Sequence, residues 1–438
     1  MARTFRGGDG GASTLFGFWQ GGRTTCTGAE KHMTLKLRKM GRFSMASVVS
    51  LALGLGLTSC SRDYTVAFVY VAASTRTASG VINAYKVDFQ SGALQQLTDS
   101  PVSTSNRNPV AIVAAPSGKY VYVVFRDDSV VVPFGVGTDG KLYAQKAINV
   151  VGSFPTAATI DAAGKFLYVT STFQAGFTPA LPGAGLVSIF PIGTDGNLGT
   201  PTSTNVGNSP VSIVASGFNN FVYVADRETN VPATNGGTGA GGVVLAFSQN
   251  PSSGALTPVT LGTSRIGGYP AGVTPSWIAE DPTARFVYVT DQVSNQLIGY
   301  IVGTGGSLVP MTNGPFATGE FPVNVIIDPR GRYLYVTNFN SSTIGAYAID
   351  TATGTPASSV GSTNTQVDTN PTCAAIEPAL GQYMYVSNSA AGTVSGLQLD
   401  SHTGALKQIQ NQPFPASSLP TCVAAVANGT HATQIVNP

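Results

Sequence analysis

The sequence predicts an all-β fold: a seven-bladed β-propeller of four-stranded antiparallel blades, its ring closed by the C-terminal strand. Three observations predict it. An aromatic, β-branched strand, clearest as Tyr333-Leu334-Tyr335-Val336-Thr337-Asn338, recurs along the whole chain. Its copies are spaced like propeller blades. The composition suits short strands joined by tight turns, with 52 Gly and 27 Pro beside 42% hydrophobic residues and only 10% charged ones. Ordinary globular chains carry roughly a quarter charged residues. Disorder requires low hydrophobicity with high net charge, which excludes it here.

The copies are Phe68-Val69-Tyr70-Val71, Tyr120-Val121-Tyr122-Val123, Phe166-Leu167-Tyr168-Val169, Phe221-Val222-Tyr223-Val224, Phe286-Val287-Tyr288-Val289, Tyr333-Leu334-Tyr335-Val336 and Tyr383-Met384-Tyr385-Val386. Steps between their tyrosines run from 46 residues (Tyr122 to Tyr168) to 65 (Tyr223 to Tyr288). Periods near 40–50 residues with several strands each define propeller blades. Each unit opens with a Pro-led apolar strand, such as Pro109-Val110-Ala111-Ile112-Val113 or Pro322-Val323-Asn324-Val325-Ile326. Proline suits a strand's first residue, where no ladder donor is needed. The aromatic strand follows a polar turn, then a third strand such as Thr343 to Ile349. A glycine turn (Asp139-Gly140, Asp195-Gly196, Ser253-Gly254, Thr403-Gly404) leads to a weak fourth strand. Glycine supplies positive φ there at little steric cost.

Pro-led strands precede copies two to seven, but none precedes Phe68. The missing one is Pro420-Thr421-Cys422-Val423-Ala424-Ala425-Val426 near the C-terminus. It should therefore supply the innermost strand of blade 1 and close the ring, removing an open sheet edge.

Tyr335-Val336-Thr337-Asn338 matches the YVTN repeat, and the Pro-strand and Gly-turn pattern resembles the lactonase family of seven-bladed propellers, 6-phosphogluconolactonase-like proteins among them. The resemblance covers about residues 64–427. It implies a lactone hydrolase or small-ligand site at the mouth of the central channel, with His, Arg and Glu at work in it. One fold hosts many functions, so the repeat speaks for architecture more than for chemistry.

The N-terminal part reads as targeting. Lys36, Arg38, Lys39 and Arg42 precede an apolar run, Met45 to Leu57, too short to span a bilayer. Leu57-Thr58-Ser59-Cys60 resembles the bacterial lipobox, which implies cleavage before Cys60 and a lipid on its sulfur; the alternative is an ordinary signal peptide. Residues 1–32 read as a doubtful leader before a start at Met33, 33–59 as the signal, 60–65 as a tether, 66–427 as the propeller and 428–438 as a tail. The expected setting is the cell envelope, lipid-anchored, as a monomer. Net charge is +2 and no basic run follows Arg42, so no nucleic-acid partner is expected.

Candidate site residues follow from the topology. Loops joining fourth to first strands and second to third strands share one face. Three long insertions fall there: Ser171 to Gly185, Arg227 to Gly242 and Gly262 to Thr274. Arg126, Arg227 and Glu228 are the candidate catalytic residues. A guanidinium holds carboxylate or phosphate in bidentate fashion, and a buried Glu can act as a base. Arg107, Asn108, Asp127, Asp226, Asp291 and Glu320 are candidate ligand-binding residues. Asp226, Asp291, Asn338 and Asn388 share one repeat position, where an Asx side chain also caps a turn. Of three histidines, His32 precedes the signal, His402 lies in a turn of the opposite face and His431 is in the tail. No cofactor and no metal cluster is expected, and Gly237 to Gly242 reads as loop rather than a dinucleotide motif. The alternative function is a non-catalytic envelope scaffold binding a protein or glycan through the rim loops.

Cys373 and Cys422 both sit in Pro-Thr-Cys at one repeat position. By the closure argument their strands are neighbours. They either form a disulfide, which an exported protein can keep, or are two small core residues.

Overall fold

The computed structural model describes residues 64–75, 79–177, 180–181, 183–227, 241–259, 268–358 and 364–429. The leader, the signal, Cys60, Glu228 and the tail from residue 430 lie outside the described residues. Asp63–Pro438 forms one compact unit, and among its described residues no helix is long and apolar enough to cross a membrane.

Seven antiparallel sheets follow one another along the chain. Blade 6 is representative: inner strand Pro322–Ile327, second strand Tyr333–Asn338, third strand Thr343–Ile349, and an outer strand in two pieces, Pro356–Ser358 and Asn364–Gln366, both paired to the third. Six blades have this split outer strand; blade 3 has the single piece Thr202–Val206. Short outer pieces limit the exposed edge that would pair with other chains. The ring closes as expected. Thr65–Ser74 is flanked by Ser79–Asp88 on one side and Leu419–Ala427 on the other, with Tyr70 opposite Ala424.

All seven inner strands begin the same way. Pro109 pairs with Phe125 and Ala111 with Val124, which leaves Val110 as an extra residue. Thr156, Val211, Ser276, Val323, Thr372 and Thr421 occupy the same bulge in the other blades. A bulge bends a strand and re-aims its side chains. In blades 3, 5 and 7 the bulged hydroxyl donates to the proline carbonyl of the next inner strand: Thr156 to Pro210 (3.0 Å), Ser276 to Pro322 (2.7 Å) and Thr372 to Pro420 (3.4 Å).

The recurring aromatic strand fastens each blade to the next. The repeat tyrosine is buried, and its hydroxyl donates to the carbonyl of a turn glycine one blade on: Tyr70 to Gly140, Tyr122 to Gly196, Tyr168 to Gly254, Tyr288 to Gly354, Tyr335 to Gly404 and Tyr385 to Gly92, at 2.6–3.2 Å. The first aromatic of the repeat lies flat against the same glycine. A Cβ on Gly404 would stand 2.2 Å from the Tyr333 ring, and φ there is +73°. Glycine is thus required twice, for its backbone and for its missing side chain. Gly404→Ala should cost about 3 kcal/mol, from overpacking together with the left-handed φ. A urea unfolding midpoint equal to that of the wild type would refute this account of the repeat.

Buried acids cap the turns between first and second strands, at the same end of the blades as these glycines. Asp161, Asp281, Asp328 and Glu377 each accept two or more turn amides, as Asp328 does from Arg332 (2.7 Å) and Tyr333 (2.8 Å).

Candidate active site

Inner-strand proline and second-strand end meet on one face, where the channel opens. Pro210 faces Asp226, Pro275 faces Asp291, Pro322 faces Asn338 and Pro371 faces Asn388. The next residue of each second strand therefore rings the mouth: Ser74, Arg126, Thr172, Arg227, Gln292, Phe339 and Ser389. Its amide commonly bonds the residue before the proline, as Arg227 N does Ser209 O (3.0 Å) and Phe339 N does Phe321 O (3.0 Å).

Asp226 and Asp291, two of the candidate ligand-binding residues, are fully buried. Asp226 accepts the amide of Ser209; Asp291 accepts those of Val273 (2.7 Å) and Thr274 (2.9 Å). Burial alone would raise the Asp291 pKa, but hydrogen bonds from Ser294 and these amides outweigh it and hold the carboxyl below its ordinary value. Gly207 and Gly272 pack directly on the two carboxylates, leaving no room for a side chain. Asn338 and Asn388 are buried too, donating to Thr343 and Thr393 across their hairpins. The shared Asx position therefore makes turn contacts.

Arg227 is half-buried. Its Nε donates to Pro275 O (2.9 Å) and its Nη2 to Gln292 Oε1 (3.0 Å). Both acceptors are neutral and both belong to blade 5. Burial lowers its pKa, yet a guanidinium stays charged in proteins. The result is a positive charge fixed at the mouth, with further N–H donors that have no partner among the described residues.

Arg126, on blade 2, is exposed and pairs with Asp127 (3.0 Å). Asp127 also accepts from Asn108, whose amide oxygen receives the Ser74 hydroxyl (3.0 Å). Arg107 pairs with Asp128 (2.7 Å). These residues form a polar network across blades 1 and 2. It does not meet Arg227, which stands two blades away and turns toward blade 5. Arg126 and Arg227, both candidate catalytic residues, thus have separate partners. Glu320 is exposed on the connection between blades 5 and 6. His402 is exposed in its turn on the opposite face.

Two features escaped the sequence reading. The residue before the inner-strand proline adopts left-handed backbone at Asn108, Phe154, Phe321 and Asn370 (φ 51–57°). That conformation costs a non-glycine residue about 1 kcal/mol and is least suited to bulky side chains. The second is Glu280, the last residue of the blade 5 inner strand Pro275–Glu280. Its repeat equivalents are Ala114, Ile160, Ala215, Ile327, Ile376 and Ala425, all apolar, so aligning the repeats would have exposed it. Burial raises its carboxyl to about 7. Oε2 accepts Gly217 N (3.0 Å), while Oε1 is buried without a partner. It lies toward the far end of the channel from Arg227. Among the described residues no group of three His, Cys, Asp or Glu side chains is placed to hold a metal.

Residues 78–176 and 240–375 match the model of the family described as Lactonase, 7-bladed beta-propeller. That is more than half of the chain, which belongs to this family. No curated protein sequence matches it. Among solved structures it is similar to the periplasmic gluconolactonase PpgL of Pseudomonas aeruginosa, with 19% identity, 83% of this chain and 100% of that one covered, and a TM-score of 0.66. A candidate 6-phosphogluconolactonase of Bacteroides uniformis is similar at 18% identity, with 83% and 100% covered and a TM-score of 0.67. At such identities the likeness speaks for the fold alone.

Proposed function

We propose that this chain is an exported lactonase that binds a small lactone at the Arg227 mouth and opens it by hydrolysis. The observation that carries this reading is Arg227 itself: a half-buried cation held by two neutral oxygens, at the entrance of a channel in a lactonase-family propeller. Its free N–H groups would donate to the lactone carbonyl oxygen. As water adds to the carbonyl carbon, that oxygen takes up negative charge, which fixed donors stabilise. The ring C–O bond then breaks, the ring oxygen leaves as an alcohol after taking a proton, and a carboxylate remains, again opposite the guanidinium. Glu228, next in sequence to Arg227, is the proposed base that accepts the water proton. The names of the similar structures, a gluconolactonase and a candidate 6-phosphogluconolactonase, support a lactone as the substrate class.

Export is supported by the signal-like segment 33–59 and by the Cys373–Cys422 disulfide, since such bonds persist in oxidising compartments. The lipid anchor on Cys60 belongs to the same proposal; Cys60→Ala protein should leave the membrane fraction. The test of the activity is a lactone panel on the purified protein. Arg227→Ala should lower kcat at least about 100-fold, the usual loss for an oxyanion donor, with Arg227→Lys retaining part of it. Equal turnover in all three would sink the assignment. The position of His402 on the opposite face favours a second reading, a non-catalytic scaffold binding an envelope protein or glycan. It predicts wild-type protein that opens no lactone and an Arg227→Ala variant that loses only partner binding.

A further inference from the structure

Four blades require left-handed backbone at the residue before the inner-strand proline. Blades 2 and 7 place asparagine there, a residue that tolerates it. Blades 3 and 6 place Phe154 and Phe321, which do not. The backbone therefore does not explain these phenylalanines. Each is half-buried and leans on a second half-buried ring from the end of its own blade's second strand. Phe154 meets Phe173 at 6.0 Å between centroids, and Phe321 meets Phe339 at 6.0 Å. Blades 3 and 6 stand on opposite sides of a seven-membered ring. Arg227, on blade 4 and reaching blade 5, lies between them.

We propose that the two phenylalanine pairs form an aromatic clamp for the body of the ligand whose anionic end Arg227 holds. This rests on the Arg227 mouth being the binding site and narrows the substrate class to lactones with an apolar ring face, aryl lactones above all, in preference to fully hydroxylated sugar lactones. Phe154, Phe321 and Arg227 share one face of the ring, so a molecule lying across that face would meet ring edges and faces on two sides and a guanidinium for its ester carbonyl or product carboxylate. Backbone strain held at a ligand clamp is a known use of left-handed, non-glycine residues.

The test pairs ligands with variants of the full protein. Calorimetric titration with 3-(2-hydroxyphenyl)propanoate, the hydrolysis product of dihydrocoumarin, and with gluconate compares aryl and sugar acids. The aryl acid should bind about tenfold or more tightly. Phe154→Asn and Phe321→Asn should each weaken it by about tenfold, leave gluconate unchanged and raise the urea unfolding midpoint, because asparagine suits the backbone. A purely structural role predicts the reverse, a lowered midpoint with equal losses for both acids, and overturns the clamp. So does aryl affinity that neither variant changes, or a wild type that binds neither acid. Failure to hydrolyse either dihydrocoumarin or glucono-δ-lactone, with the aryl acid still bound tightly and weakened by both variants, would sink the catalytic reading and support the clamp.

Discussion

Cys422→Ser is expected to lower the unfolding free energy by about 4 kcal/mol. The Cys373–Cys422 disulfide joins the inner strands of blades 7 and 1, with Cα atoms 4.9 Å apart and a sequence separation of 49. Closing a loop of that length restricts the unfolded chain by about 4 kcal/mol on the chain-entropy model. Without the bond, the strand Leu419–Ala427 is held in blade 1 by its ladder to Thr65–Ser74 and by core packing. Urea midpoints measured with and without reductant provide the check. Wild-type protein should lose stability in reductant, while Cys422→Ser, Cys373→Ser and the double variant should be alike and indifferent to it. A wild-type midpoint that ignores reductant would contradict the cross-link.

Glu280→Gln is expected to flatten the pH dependence of stability. Burial raises the folded carboxyl from 4.5 to about 7. Between those values the folded protein keeps a proton that the unfolded chain releases, so ∂ΔG/∂pH of unfolding is negative. Stability present below pH 4.5 is lost as pH rises through 7, by about 3 kcal/mol in all. Glutamine cannot ionise, so the variant should equal the wild type near pH 5 and exceed it near pH 8. Thermal unfolding across that range decides the matter; parallel wild-type and variant curves would place the titration elsewhere.

The fold was legible because its signals repeat. Seven aromatic strands, six Pro-led strands ahead of them and a displaced seventh at the C-terminus leave one ring topology. The reason for the repeat was not legible. Gly140 and Gly404 read as turn residues, and nothing in a linear sequence says that Phe68 and Tyr333, dozens of residues away, lie against them. The site was less legible still. Arg126 and Arg227 occupy the same repeat position, but one faces a neighbouring Asp127 and the other reaches into the next blade. Which partner a long side chain finds depends on loop geometry that the repeat does not encode. Phe154 and Phe321 passed unnoticed because left-handed backbone is invisible without φ. Glu280 carried a usable signal, a charge where six equivalent residues are apolar.

The tyrosine fastenings run one way around the ring, and one of the seven differs. Tyr223 OH is buried without a partner, and the turn it would reach in blade 5 is wound into the 3₁₀ segment Thr304–Gly306. This junction between blades 4 and 5 is the one Arg227 bridges from one end and Glu280 borders at the other. It lies nearly opposite the disulfide. A closed ring can absorb a change at its entrance only where two sectors slip against each other, and this seam is the natural place for that slip. Amide exchange along Phe221–Asp226 and Pro275–Glu280 should then be faster than along the matching strands of blades 6 and 7, and a ligand gripping Arg227 should slow it.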